Sequence, residues 1–113
     1  MHLLILEDDA LLAMDLVEQL EQFGYEEADV ATSVQMALRL LNERNPDAAV
    51  LDINLGRETS EPVAEKLRAI GVPFVVVSAY SSYQSDAYAG AAMLSKPVNI
   101  QKLVGELERM KTD

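Results

Sequence analysis

Short, wholly apolar runs alternate along this chain with longer stretches in which apolar residues recur every three or four positions, a pattern that predicts strand and helix in turn. Leu3-Leu4-Ile5-Leu6 reads as a buried strand ending on three consecutive carboxylates, Glu7-Asp8-Asp9. From Ala10 to Phe23 a helical stripe follows, made of Leu12, Ala13, Leu16, Val17, Leu20 and Phe23. Asp9 is placed to cap that helix and Gly24 to end it in the left-handed conformation. Ala28-Asp29-Val30-Ala31 is a weaker strand, and Ser33 can cap a helix faced by Val34, Ala37, Leu38 and Leu41. After the turn-like Asn45-Pro46-Asp47, the run Ala48 to Leu51 is a third strand with Asp52 at its carboxyl end. Thr59 or Ser60 can then cap a helix carrying Val63, Leu67 and Ile70, closed by Gly71.

Val72-Pro73-Phe74-Val75-Val76-Val77 is the most strand-like run, rich in β-branched residues, and it ends on Ser78-Ala79-Tyr80. Ser81 to Gly90 is poor in large apolar residues and predicts a weak, loosely held fourth helix. Ala91 to Leu94 is a fifth strand ending on Ser95-Lys96-Pro97, and Asn99 can cap a last helix faced by Ile100, Leu103, Val104 and Leu107. Five alternations of strand and helix predict an α/β fold, a parallel sheet covered by helices on both faces. At 113 residues, with no linker, repeat or low-complexity segment, the expectation is one domain over 1–113 with no output domain.

Charge narrows the function classes. Nine Lys and Arg against nineteen Asp and Glu give a formal net charge of −10, which repels phosphate backbones and anionic lipid, so no nucleic-acid or membrane partner is expected. No apolar run reaches the ~20 residues that span a bilayer, and the first residues lack a signal-peptide pattern. Without cysteine there is neither a disulfide framework nor a thiolate metal site, and the cytoplasm is the expected location.

In a parallel sheet the carboxyl ends of the strands share one edge, where open α/β proteins bind ligands. Four strands deliver polar groups there: Glu7-Asp8-Asp9, Asp52, Ser78 and Lys96. Each has an ordinary explanation alone, as a helix-dipole partner, a turn residue or a solvated lysine. Together they differ, because carboxylates gathered at one site repel unless a cation neutralises them. Mg²⁺ suits such a site, taking one or two carboxylates and sharing its other positions with water and a phosphate. Lys96 and the Ser78 hydroxyl can meet phosphoryl oxygens, and a carboxylate nucleophile among them points to an acyl phosphate formed by in-line transfer.

The motifs Leu6-Glu7-Asp8-Asp9, Leu51-Asp52-Ile53-Asn54-Leu55-Gly56, Val77-Ser78-Ala79 and Ser95-Lys96-Pro97-Val98 resemble those of response-regulator receiver domains, the phosphoacceptors of two-component signalling. The resemblance covers residues 2 to about 110 and implies a flavodoxin-like, doubly wound sheet of five parallel strands in the order 2-1-3-4-5. It implies that Asp52 is the phosphoacceptor, charged by a histidine kinase or a phosphotransfer protein. Asp8, Asp52 and the backbone carbonyl of Asn54 would coordinate Mg²⁺, with Glu7 acting through a bound water. Ser78 would be the switch hydroxyl and Lys96 the phosphoryl-binding lysine, joined to Pro97 by a cis bond. Such a domain is a phosphoacceptor and not a multiple-turnover enzyme; its output would be a protein partner or the draining of phosphoryl groups from the kinase.

Departures from the family pattern are also informative. Met93 and Leu94 stand where receivers commonly carry an aromatic residue, and only eighteen positions separate Ser78 from Lys96, a deficit that falls in the fourth helix. With Asp15-Leu16, Pro73-Phe74 and Ser78-Ala79-Tyr80, this is similar to the compact receivers found alongside HWE-type histidine kinases. The rival from another class is a phosphotransfer enzyme of haloacid-dehalogenase type, which places a general-acid Asp two residues after its nucleophile; here that residue is Asn54, which cannot hand over and retake a proton. Nucleotide hydrolysis lacks a Gly-rich Lys-Ser/Thr loop. A phosphorylation-independent binding module would be expected only if Asp52, the acidic pair or Lys96 were replaced.

Overall fold

The apolar runs become strands because both of their faces are covered, as a computed structural model describing residues 1–79 and 85–111 makes plain. In chain order the elements are β1 (His2–Leu6), α1 (Ala10–Gln22), β2 (Glu27–Ala31), α2 (Val34–Glu43), β3 (Ala48–Asp52), a hairpin of β4 (Asn54–Leu55) and β5 (Glu58–Thr59), and α3 (Glu61–Ala69). There follow β6 (Phe74–Ser78), a 3₁₀ turn at Asp86–Tyr88, β7 (Ala92–Ser95) and α4 (Ile100–Lys111). The main sheet is parallel throughout in the order β2-β1-β3-β6-β7. Counting only its own strands in chain order, that is the expected 2-1-3-4-5.

Side chains alternate across a strand, so residue parity sorts the core into two layers. Leu4, Leu6, Ala49, Leu51, Phe74 and Val76 meet Ala37 and Leu41 of α2 and Val63 and Leu67 of α3 on one face. Leu3, Ile5, Ala48, Val50, Val75 and Val77 meet Leu20 of α1 and Leu103 and Leu107 of α4 on the other. Asp9 caps α1 through its carboxylate on the Leu11 and Leu12 amides at 3.0 and 3.3 Å. Ser33 caps α2 on the Met36 amide at 3.1 Å, and Asn99 receives the Lys102 amide at 3.1 Å. Gly24 and Gly71 leave their helices with φ of 92° and 76°, as their positions predict.

Three expectations are corrected. Leu12 does not belong to the buried stripe: it is 51 % exposed, because it faces a cleft beside α1 instead of the sheet. Ser60 stands at the start of α3 without capping it, its hydroxyl being diverted 2.8 Å to the Tyr88 hydroxyl, while Thr59 Oγ1 accepts the Glu61 amide at 3.4 Å. Among the described residues, the fourth helix shrinks to the turn Asp86–Tyr88; the Ser81–Gln84 part of that expectation lies outside them. Side chains of α3 hold its described part. Ser85 Oγ donates to Glu61 Oε1 at 2.7 Å, and Arg68 donates to the Ala87 and Ala89 carbonyls. The β4–β5 hairpin, its Gly56-Arg57 turn opening on a glycine at φ 79°, adds an element that the sequence pattern did not announce.

Candidate functional site

Parallel register brings four strand ends level. Leu6 pairs with Leu51, Asp52 with Val77, and Ser78 with Ser95, so the residues that follow emerge along one edge. Main-chain bonds continue the ladder past the strand ends: the amides of Glu7, Ile53 and Lys96 donate to the carbonyls of Ala31, Val77 and Ser78 at 3.0, 3.1 and 3.1 Å. The side chains at this edge are therefore set by the sheet and not by free loops.

Lys96 Nζ lies between two carboxylates, 2.7 Å from Asp52 Oδ2 and 3.0 Å from Glu7 Oε1. Asp52 and Glu7 are buried, whereas Asp8 beside them is exposed. One carboxylate oxygen from each of Glu7, Asp8 and Asp52 lies within 4.8 Å of the others, a spacing that a single oxygen-ligated divalent cation can bridge. Glu7 Oε2 is buried and, among the described residues, has no hydrogen-bond partner, which leaves a polar atom of the cluster unsatisfied. The donor set is all oxygen, so Mg²⁺ or a similarly hard cation fits and a thiophilic metal does not.

The electrostatics agree. Burial, and then the Asp52 carboxylate beside it, push the Glu7 carboxyl up to about 7, against the opposing pull of Lys96. Burial works against the charge on Lys96, but the two carboxylates outweigh it and hold the ammonium above its ordinary range. The site thus carries more negative character than one lysine relieves.

Of the predicted site residues, the fold brings Glu7, Asp8, Asp52 and Lys96 into one cluster. Ser78 ends β6, 1 % exposed, with its carbonyl bonded to the Lys96 amide. Asn54 follows Asp52 on β4 and is exposed. Asp9 leaves the acidic run to cap α1, as its place just before the helical stripe predicts. The Lys96-Pro97 bond is cis.

A cleft of about 580 Å³ adjoins the cluster, lined by Leu12 and Leu16 of α1, by Pro97 and Val98, and by Glu7, Asp52 and Lys96 themselves. Sequence reasoning missed it, because Leu12 and Leu16, which line it, read as part of the one helical stripe of α1. A second cleft of about 710 Å³, around Gly71, Pro73 and Ala91, lies at the opposite sheet edge and holds none of the clustered groups. Among the described residues no helix is long and apolar enough to cross a membrane.

The likenesses of the chain point the same way. It is 34 % identical over 112 residues to the transcriptional regulatory protein PdtaR of Mycobacterium tuberculosis, covering 95 % of this chain and 55 % of that protein. The chain spans about half the length of the curated relatives it matches. The solution structure of SdrG from Sphingomonas melonis Fr1 is similar with a TM-score of 0.82 at 32 % identity, over 97 % of this chain and 95 % of that one. TrrA of Thermotoga maritima, solved in complex with Mg²⁺-BeF, is similar with a TM-score of 0.84 at 26 % identity, over 96 % and 97 %. The description "response regulator receiver domain" matches residues 3–108, and with the strand order and the acidic edge it shows that the chain belongs to the receiver domain family.

Proposed function

We propose that Asp52 accepts a phosphoryl group from a histidine kinase in a Mg²⁺-dependent reaction, and that the resulting state is read by a protein partner or drains the kinase. The carrying observation is the convergence of Glu7, Asp8 and Asp52 within 4.8 Å, with Lys96 Nζ on two of them. Asp8, Asp52 and the carbonyl of Asn54 would hold Mg²⁺ directly and Glu7 through water. When bound, the ion offsets the carboxylates and stabilises charge on the transferring phosphoryl oxygens. TrrA, which holds Mg²⁺ with a beryllofluoride group, supports that choice of metal.

An Asp52 carboxylate oxygen attacks phosphorus in line, the bond from phosphorus to the donor nitrogen or oxygen breaks, and the leaving group departs with its electron pair to take up a proton. Lys96 moves from the carboxylates to the phosphoryl oxygens, and the Ser78 hydroxyl donates to another. As a receiver domain the chain is a phosphoacceptor and not a multiple-turnover enzyme, in keeping with Asn54 where a hydrolase would need an acid. The kinase partner sets the location as the cytoplasm, and Asp15-Leu16, Pro73-Phe74 and the abbreviated interval before Lys96 support one of HWE type. The net charge of −10 favours a protein over DNA as the reader.

Incubation with Mg²⁺ and acetyl phosphate, followed by intact-mass measurement, tests the reading. Wild type gains the ~80 Da of one phosphoryl group, a modification of ordinary covalent kind. Asp52→Asn does not gain it, nor does wild type in excess EDTA. Labelling in either control would overturn the assignment.

A further inference from the structure

The cation best placed to meet an incoming phosphoryl donor, after Lys96, is one that the site motifs do not include. Arg57 sits in the turn of the β4–β5 hairpin, directly after Gly56. The hairpin is anchored on all sides. Leu55 is buried at 6 % exposure, Glu58 Oε2 accepts the Val34 amide at 3.1 Å, and the Ser60 amide donates to the Ile53 carbonyl at 3.0 Å. Its turn lies against the acidic edge, since a Cβ on Gly56 would stand 3.8 Å from Asp8 Oδ2.

The Arg57 side chain is exposed and, among the described residues, makes no hydrogen bond or ion pair. Many cations of this acidic chain are engaged: Arg44 with Glu27, Arg68 with two carbonyls, Arg109 with Glu106 and Lys111 with Glu108. The Gly56 backbone stands beside Asp8, and a guanidinium on the next residue, unengaged among the described residues and about 6 Å long from its Cα over five further bonds, has the reach to extend toward the acidic edge. Three carboxylates repel an anionic donor that must nevertheless arrive there.

We propose that Arg57 recruits the phosphoryl donor, contacting the phosphoryl oxygens common to acyl phosphates and phosphoimidazoles as they approach Asp52. The proposal rests on the phosphoacceptor reading above. It is a rate effect on arrival: the charge of Arg57 offsets the acidic edge during encounter, while Lys96 receives the group once transferred.

Labelling rates of Arg57→Ala, Arg57→Glu and Arg57→Lys, with Asp52→Asn as the blank, test it using acetyl phosphate and phosphoimidazole in Mg²⁺. At low ionic strength, charge removal should slow labelling about three-fold and charge reversal about ten-fold, with Arg57→Lys near wild type. At about 1 M salt, where the screening length is a few ångströms, the differences should vanish. The half-life of the acyl phosphate should not change. Equal rates in all variants would overturn the proposal, as would an effect with one donor only. A slowing that salt does not relieve, or that accompanies a lowered melting temperature, would overturn it by making Arg57 a structural residue. Failure of wild type to label at all would instead remove the phosphoacceptor reading, and this one with it.

Discussion

At the scale of single residues, the division between Asp8 and Glu7 has measurable consequences. Asp8 is exposed, whereas Glu7 is buried with its carboxyl held up to about 7. In a Mg²⁺ titration followed by chemical shift, Asp8→Asn should therefore weaken binding more than Glu7→Gln, because a direct carboxylate contributes more than one acting through water. Equal losses would mean that the two share one role. Lys96→Ala should still bind metal, since it removes a competing cation from Asp52 and Glu7, yet lose labelling or the response to it. Wild-type labelling and response would return Lys96 to an ordinary surface ion pair. The clustered residues were legible in the sequence because each follows an apolar run and parallel strands share an edge. Arg57 was not, because a two-residue strand carries too few positions to show a period.

At the scale of elements, residues 85–89, the described part of the expected fourth helix, are held by specific contacts to α3 and the residue before it. Ser60 and Tyr88 are 0 % and 4 % exposed, and their hydroxyls meet at 2.8 Å. Tyr88→Phe should cost about 1–3 kcal/mol in urea unfolding, because it strips the buried Ser60 hydroxyl of its partner. The double variant with Ser60→Ala should cost less than the sum of the two single changes, by about 1 kcal/mol. Strict additivity would show that the contact carries no coupling. These residues stand twenty-eight positions apart, so no local spacing announces them. The same holds for Arg68 and its two carbonyls, whereas caps such as Asp9 and Ser33 act within three residues and were readable directly.

For the whole molecule, the elevated Glu7 carboxyl links stability to pH. A folded state that holds this proton up to about pH 7, against 4.5 for the ordinary group, binds more protons than the unfolded chain between those values. The contribution is thus fully present below about pH 4.5 and is lost as pH rises through about 7. Without metal, wild type should lose on the order of 2 kcal/mol across that window, discounted for the solvent that reaches the site. Glu7→Gln should not show this loss, and a parallel decline in both proteins would assign it elsewhere. Added Mg²⁺ should stabilise wild type increasingly over the same range, since loss of the Glu7 proton restores a negative charge that favours the cation beside it.

The parity that sorts the core has a further consequence. Even-numbered residues of β1 and β6, with odd-numbered residues of β3, serve the α2–α3 layer, and their neighbours serve the α1–α4 layer. Each strand therefore behaves like text read in a frame of two letters. A single inserted residue within β3 is a frameshift, exchanging the contents of both layers and displacing Asp52 from the edge at once. Two inserted residues restore the frame but advance the text. Substitutions within one layer, by contrast, leave the other undisturbed. The two halves of the interior are thus free to drift independently in composition while the strand lengths, which carry the frame to the site, are not.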